Sequence, residues 1–267
     1  MTTSEPLSGV SRTAIAVARV RARESERPDG LFRDPCAAAF VAASGYPTSG
    51  RPGPFALALA HHTVLRTRFY DDSLLAAADS GCRQVVLLAA GLDARAYRLD
   101  WPPGLRLHEL DLPPVLDFKH HVLAGLDVRP RCIRTPLPVD LLDPGWPDRL
   151  TGAGFDPAER TAWLVEGLLM YLTAEQAATL LETVGRLSAP GSRLMVERGR
   201  DPSVGADDPS IGHITSLWRG GLGPGLTDWL GDHGWRVTTH PATDLADRYN
   251  RPGPTPPSGG FLTATIG

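Results

Sequence analysis

Apolar residues are spaced in two ways along this chain. In the first third they recur with a helical period. Across residues 11–26, Ile15, Val17 and Ala18 lie among Arg19, Arg21, Arg23 and Glu24, and Pro28-Asp-Gly30 breaks the run. Asp34-Pro35 introduces a helix of small residues from Cys36 to Ala43, and Gly45 to Pro54 reads as a loop. A second long helical pattern runs from Phe55 to about Ala78, where Gly81 ends it. Beyond that point short apolar runs alternate with helical stretches. Strands are predicted at Gln84–Ala90, Arg106–Leu110, Arg131–Thr135, Ala162–Val165, Ser192–Glu197, Trp235–His240 and Phe261–Ile266. The first is almost entirely Val, Leu and Ala, as expected of a strand covered on both faces. Thr173-Ala-Glu-Gln176 is a capping box opening a helix that ends near Ser188, and Ala189-Pro-Gly191 turns the chain into the next strand.

Repeated strand–helix units imply an α/β fold with a mostly parallel, seven-stranded sheet and helices on both faces. Residues 1–80 form a helical N-terminal addition that caps the site or shapes a substrate pocket, and residues 81–267 form the sheet domain. Within it, residues 199–225 are rich in Gly, Pro and Asp and read as a partly helical lid carrying Ile211, Leu217 and Trp218. Pro252 to Gly260 reads as a turn-rich connector.

Composition narrows the function. A hydrophobic fraction of 42% suffices for a full core. The formal charge of -3, with no arginine or lysine block, gives no reason to expect a nucleic-acid partner. Cys36, Cys82 and Cys132 are widely spaced and odd in number, which suits neither a disulfide framework nor a zinc site. No run of about 18 apolar residues and no signal-peptide pattern appear, so the expectation is a cytoplasmic protein without a membrane partner. A homodimer is left open.

The chemistry concentrates at Ala89-Ala-Gly-Leu-Asp-Ala94, a turn between a strand and a helix, with Asp111 closing the next strand 20 residues beyond Gly91. Strand, glycine turn and acid at that spacing hold a ribose-bearing cofactor. Two cofactor classes fit. A dinucleotide brings a pyrophosphate, and Asp93 would oppose it by roughly 1–4 kcal/mol at about 4 Å. S-adenosylmethionine carries a sulfonium, an ammonium and a carboxylate instead, and tolerates an acidic turn. An NAD(P)-dependent oxidoreductase is therefore the alternative reading, and a donor-binding protein without methyltransferase activity is another.

Further residues carry a resemblance. Asp34-Pro35, Arg66-Thr-Arg68, Leu87-Leu-Ala-Ala-Gly91-Leu-Asp-Ala-Arg95, Glu109-Leu-Asp111-Leu-Pro113, Asp140-Leu141 and Glu166-Gly-Leu-Leu-Met-Tyr-Leu172 occur in order along residues 12–197. In these motifs the chain resembles the leucine carboxyl methyltransferase family. The closer likeness is to its bacterial branch of polyketide carboxyl and hydroxyl O-methyltransferases of the tetracenomycin type.

The resemblance implies a class I, Rossmann-like methyltransferase fold that uses S-adenosyl-L-methionine to methylate an oxygen of a small secondary metabolite, as in antibiotic biosynthesis. It implies that Asp111, with Leu112 beside it, holds the ribose, and that Asp140 and Leu141 flank the adenine. Arg66 would pair with the donor carboxylate, and Glu166 would lie near the donor ammonium. Gly91 keeps the turn glycine, whereas Ala89 stands where many members have glycine. Arg21 matches a second basic residue near the donor carboxylate, with Arg23 competing for that role.

No catalytic base is evident. His213, in the lid-like segment, is the first suspect if the acceptor is a phenol, whereas a carboxylate acceptor is already ionised and needs none. His61-His62 and His120-His121 are expected to be partly exposed helix residues. Phe55, Trp218 and Trp229 are the aromatics expected at a planar apolar acceptor.

Overall fold

A computed structural model describes residues 9–46, 52–197, 215–254 and 260–267. Three helices precede the sheet: α1 (Gly9–Glu26), α2 (Ala37–Ala43) and α3 (Pro54–Asp79). Asp34 organises the entry to α2, its Oδ1 accepting the backbone N–H groups of Cys36 and Ala37 at 3.0 Å each. Pro54 stands at the start of α3, where a missing N–H costs nothing.

The alternation then unfolds as β1 (Gln84–Leu88), the single turn α4 (Arg95–Arg98), β2 (Arg106–Asp111), α5 (Pro113–Ala124), β3 (Ile133–Pro138) and α6 (Trp146–Gly152). It continues with β4 (Thr161–Val165), α7 (Ala174–Arg186), β5 (Arg193–Glu197), α8 (Leu226–Asp232), β6 (Trp235–Pro241), α9 (Ala242–Arg248) and β7 (Gly260–Ile266). The capping box predicted at Thr173 is present, with both reciprocal bonds to Gln176.

Two strands differ from the expectation by more than one residue at an end. β1 stops at Leu88 rather than Ala90, because Ala89 enters the left-handed region with φ +53° and leaves the ladder. β3 runs from Ile133 to Pro138 rather than from Arg131 to Thr135. It is the outermost strand, and an edge tolerates Pro136 and Pro138, which cannot donate to a ladder.

The seven strands lie in the order β3-β2-β1-β4-β5-β7-β6. All neighbours are parallel except β7, which is antiparallel to both β5 and β6. Side chains alternate between two cores. Val85 and Leu87 join a layer with Leu65, Phe69 and Leu74 of α3, while Val86 and Leu88 face Leu180, Leu181 and Val184 of α7. The chain leaves β1 for β2 on one side and returns to β4 on the other. That reversal opens a crevice beyond the carboxyl ends of the strands.

Candidate functional site

The crevice is a cavity of about 370 Å³. Its floor comprises the strand ends: Leu88 to Asp93 after β1, Asp111 and Leu112 after β2, Glu166 and Gly167 after β4, and Glu197 closing β5. Its walls are α1, the first turns of α3, and the segment from Leu168 to Tyr171.

Asp111 is held by backbone alone. Oδ2 accepts the Gly91 N–H at 2.6 Å and Oδ1 accepts the Leu112 N–H at 2.7 Å. Burial raises its pKa above the ordinary carboxylate value, and these two bonds only partly offset that. Each oxygen keeps a further lone pair, so the carboxylate suits a vicinal pair of hydroxyl donors. Gly91 sits at φ +50°, a conformation that brings its N–H to Asp111 and that favours glycine. Ala89 adopts the same hand with a Cβ attached, on the floor of the cavity.

Opposite lies a buried ionic lattice. Arg66, on α3, donates through Nε to Glu166 at 2.8 Å and through Nη1 to Glu197 at 3.0 Å. Burial works against its charge, but Glu197 and Glu166 more than restore it, and its pKa is raised. Arg95 is 1% exposed and bridges Asp71 of α3 at 2.7 Å, Glu166 at 2.8 Å and Asp93 in the glycine turn. Burial favours neutral Asp93, yet Arg95 outweighs it and holds Asp93 down at about 2. Glu166 is likewise lowered, Arg95 and Arg66 overcoming its burial. Glu197 also accepts the Gly167 N–H at 2.7 Å and lies 3.2 Å from His62 Nε2.

The structure thus brings Arg21, Arg66, Ala89, Gly91, Asp111, Leu112 and Glu166 to one cavity, and Arg23 borders it as well. Arg66 is neither a surface residue nor paired with Asp71 or Asp72. Arg21 is tied to Asp34 at 2.9 Å and to the Leu92 carbonyl. The cavity does not reach Asp140 and Leu141. Asp140 is exposed, and its Oδ1 accepts the Leu142 N–H at 2.9 Å, closing its own turn. Leu141 packs against the α7-side core. Of the three aromatics expected at an acceptor pocket, only Trp218 lines it; Trp229 instead stacks on His233. His62 is fully buried against Phe261, not partly exposed. His213 lies outside the described residues.

Sequence reasoning missed Arg95 and Glu197. Glu197 ends a predicted strand on the carboxyl edge, and that placement could have marked it. Arg95 closes the motif that begins at Leu87, but no role could be read for it there, since Asp71 and Glu166 are remote in sequence and only Asp93 is near.

These features can be tested against S-adenosylmethionine and against a dinucleotide. The half-satisfied Asp111 fits a ribose, and the carboxylates of Asp93, Glu166 and Glu197 fit a cationic ligand. A pyrophosphate fits poorly: α4 is only four residues long, and the turn before it is lined with acid.

The sequence profile of leucine carboxyl methyltransferase matches residues 14–185. A protein of Parafrankia sp. (strain EAN1pec), named as a candidate S-adenosyl-L-methionine-dependent methyltransferase, is 49% identical over 271 residues, covering 96% of this chain and 87% of its own. A similarly named protein of Streptomyces avermitilis is 43% identical over 272 residues, covering 96% of this chain and 95% of its own. Among solved structures, a methyltransferase-like protein from Thermobifida fusca superposes with a TM-score of 0.57 at 16% identity, over 93% of this chain and 94% of that one. Magnesium protoporphyrin IX methyltransferase from Synechocystis, solved with bound S-adenosylhomocysteine, gives 0.51 at 12% identity, over 94% and 99%. The chain belongs to the leucine carboxyl methyltransferase family, within the class I S-adenosylmethionine-dependent methyltransferases.

Proposed function

We propose that the protein is an S-adenosylmethionine-dependent O-methyltransferase acting on a small organic molecule through a carboxylate or phenolic oxygen. The observation that carries this reading is Asp111, a carboxylate held only by two backbone N–H groups at the floor of the crevice. Asp111 would accept from the two ribose hydroxyls. Arg66, whose Nη2 makes no hydrogen bond among the described residues, would face the donor carboxylate, and Glu166 the donor ammonium. Asp140 and Leu141, one strand further along the same edge, would flank the adenine beyond the cavity.

Bound S-adenosylmethionine supplies an electrophilic methyl group on a positively charged sulfur. The protein aligns the acceptor oxygen with it and excludes water, and alignment alone contributes up to about 7–11 kcal/mol. Among the described residues lining the cavity there is no histidine, cysteine or lysine, and Glu166 and Glu197 are held ionised by arginines. A carboxylate acceptor suits this lining, because it is ionised near neutral pH without a base.

Two measurements test the reading. Calorimetric titration with S-adenosylhomocysteine should show binding that Asp111→Asn weakens by roughly 1.5–3 kcal/mol. Undiminished affinity in a folded variant removes the ribose assignment. Turnover with methyl-labelled donor then reports the product: an ester releases labelled methanol under mild alkali, whereas a phenolic ether does not.

A further inference from the structure

We propose that Arg23 anchors a carboxylate at the far, non-reacting end of the methyl acceptor, so that the acceptor is an amphipathic organic anion. The inference rests on the O-methyltransferase reading. Four arginines line the cavity, and three are engaged. Arg66 is shared by Glu166 and Glu197, Arg21 by Asp34 and the Leu92 carbonyl, and Arg19 donates to the Tyr46 carbonyl. Arg23 is exposed, and it makes no hydrogen bond or ion pair among the described residues.

Its place on α1 separates it from the donor end. Ala14 lies beside Gly91, with a Cβ built there meeting the Ala14 Cβ at 3.5 Å. Nine residues on, at about 100° per residue, Arg23 emerges on the opposite flank of the helix. The cavity walls also carry a large apolar share, including Val17, Val20, Leu59, Leu168, Met170 and Trp218. Charge sorts the ends as well. At the deep end the four carboxylates of Asp93, Asp111, Glu166 and Glu197 outnumber the two arginines that pair with them, Arg66 and Arg95, so a spectator anion is favoured at the rim instead.

The test uses the full-length protein saturated with S-adenosylhomocysteine. It is titrated by calorimetry with a hydroxynaphthoic acid bearing hydroxyl and carboxyl at opposite ends, and with the methyl ester of that acid. The acid should bind wild type about tenfold more tightly than the ester, with the preference shrinking in high salt. Arg23→Gln should bring acid and ester to within about twofold, and Arg23→Lys should restore part of the preference. Arg23→Gln should leave S-adenosylhomocysteine affinity unchanged. Equal binding of acid and ester to wild type, no binding of either, or weakened S-adenosylhomocysteine binding in Arg23→Gln overturns the proposal. Failure of wild type to bind S-adenosylhomocysteine at all instead overturns the methyltransferase reading beneath it.

Discussion

Ala89 holds a left-handed backbone at φ +53°, where a side chain costs roughly 1–2 kcal/mol. Ala89→Gly relieves that strain but loosens the unfolded chain by about 0.4–1 kcal/mol. The expected outcome is a net gain of up to about 1.6 kcal/mol in urea unfolding, with S-adenosylhomocysteine affinity retained. The sequence marks Ala89 as a departure from glycine, yet its conformation is invisible there, because the apolar run continues through Ala90 and reads as strand. Asp111 was legible because the motif is local: a strand, a turn and a fixed spacing. His62 was not. Adjacent histidines in a helix read as polar surface, and only the tertiary packing of Phe261 and Glu197 buries this one.

At the scale of elements, α3 acts as the counter-charge of the sheet. Arg66 and Asp71, five residues apart, reach Glu166, Glu197, Arg95 and Arg98. Arg66→Ala therefore does more than remove the proposed donor contact. It leaves Glu197 without its arginine in a buried setting, for which about 3–5 kcal/mol of lost stability is expected, read from the shift of the urea midpoint. Arg66→Lys should lose less, since it keeps the charge but not the planar fork that spans two carboxylates. Helix and strand positions were largely readable from periodicity, and the Thr173 cap from four residues. The exception was β3, predicted at Arg131–Thr135, whose prolines concealed the second half of the strand, which an edge position permits.

For the molecule as a whole, His108 ties stability to pH. It lies fully buried on β2, makes an edge contact with Phe155, and neither ring nitrogen has a partner among the described residues. Burial, with Arg106 adding to it, pushes its pKa down to about 4. The unfolded chain, with an ordinary histidine near pH 6.5, therefore takes up a proton that the folded state refuses. The stabilisation is present in full above about pH 6.5 and falls as pH drops towards 4, by about 3 kcal/mol in total. His108→Leu should flatten that slope between pH 6.5 and 4 in urea titrations, and an unchanged slope would refute the assignment. The parallel core was foreseeable from strand–helix alternation, but the antiparallel insertion of β7 between β5 and β6 was not, because local pattern carries no strand order.

The ion pairs from α3 to the ends of β4 and β5 also limit how such a protein can be recombined. Exchange of the helical segment for that of a relative replaces Arg66 and Asp71 along with the part of the cavity wall built by α1 and α3. A chimera that brings a new wall without those two charges removes ion-pair partners of Glu166, Glu197, Arg95 and Arg98, so a reshaped cavity and loss of folding travel together unless both charges are grafted back.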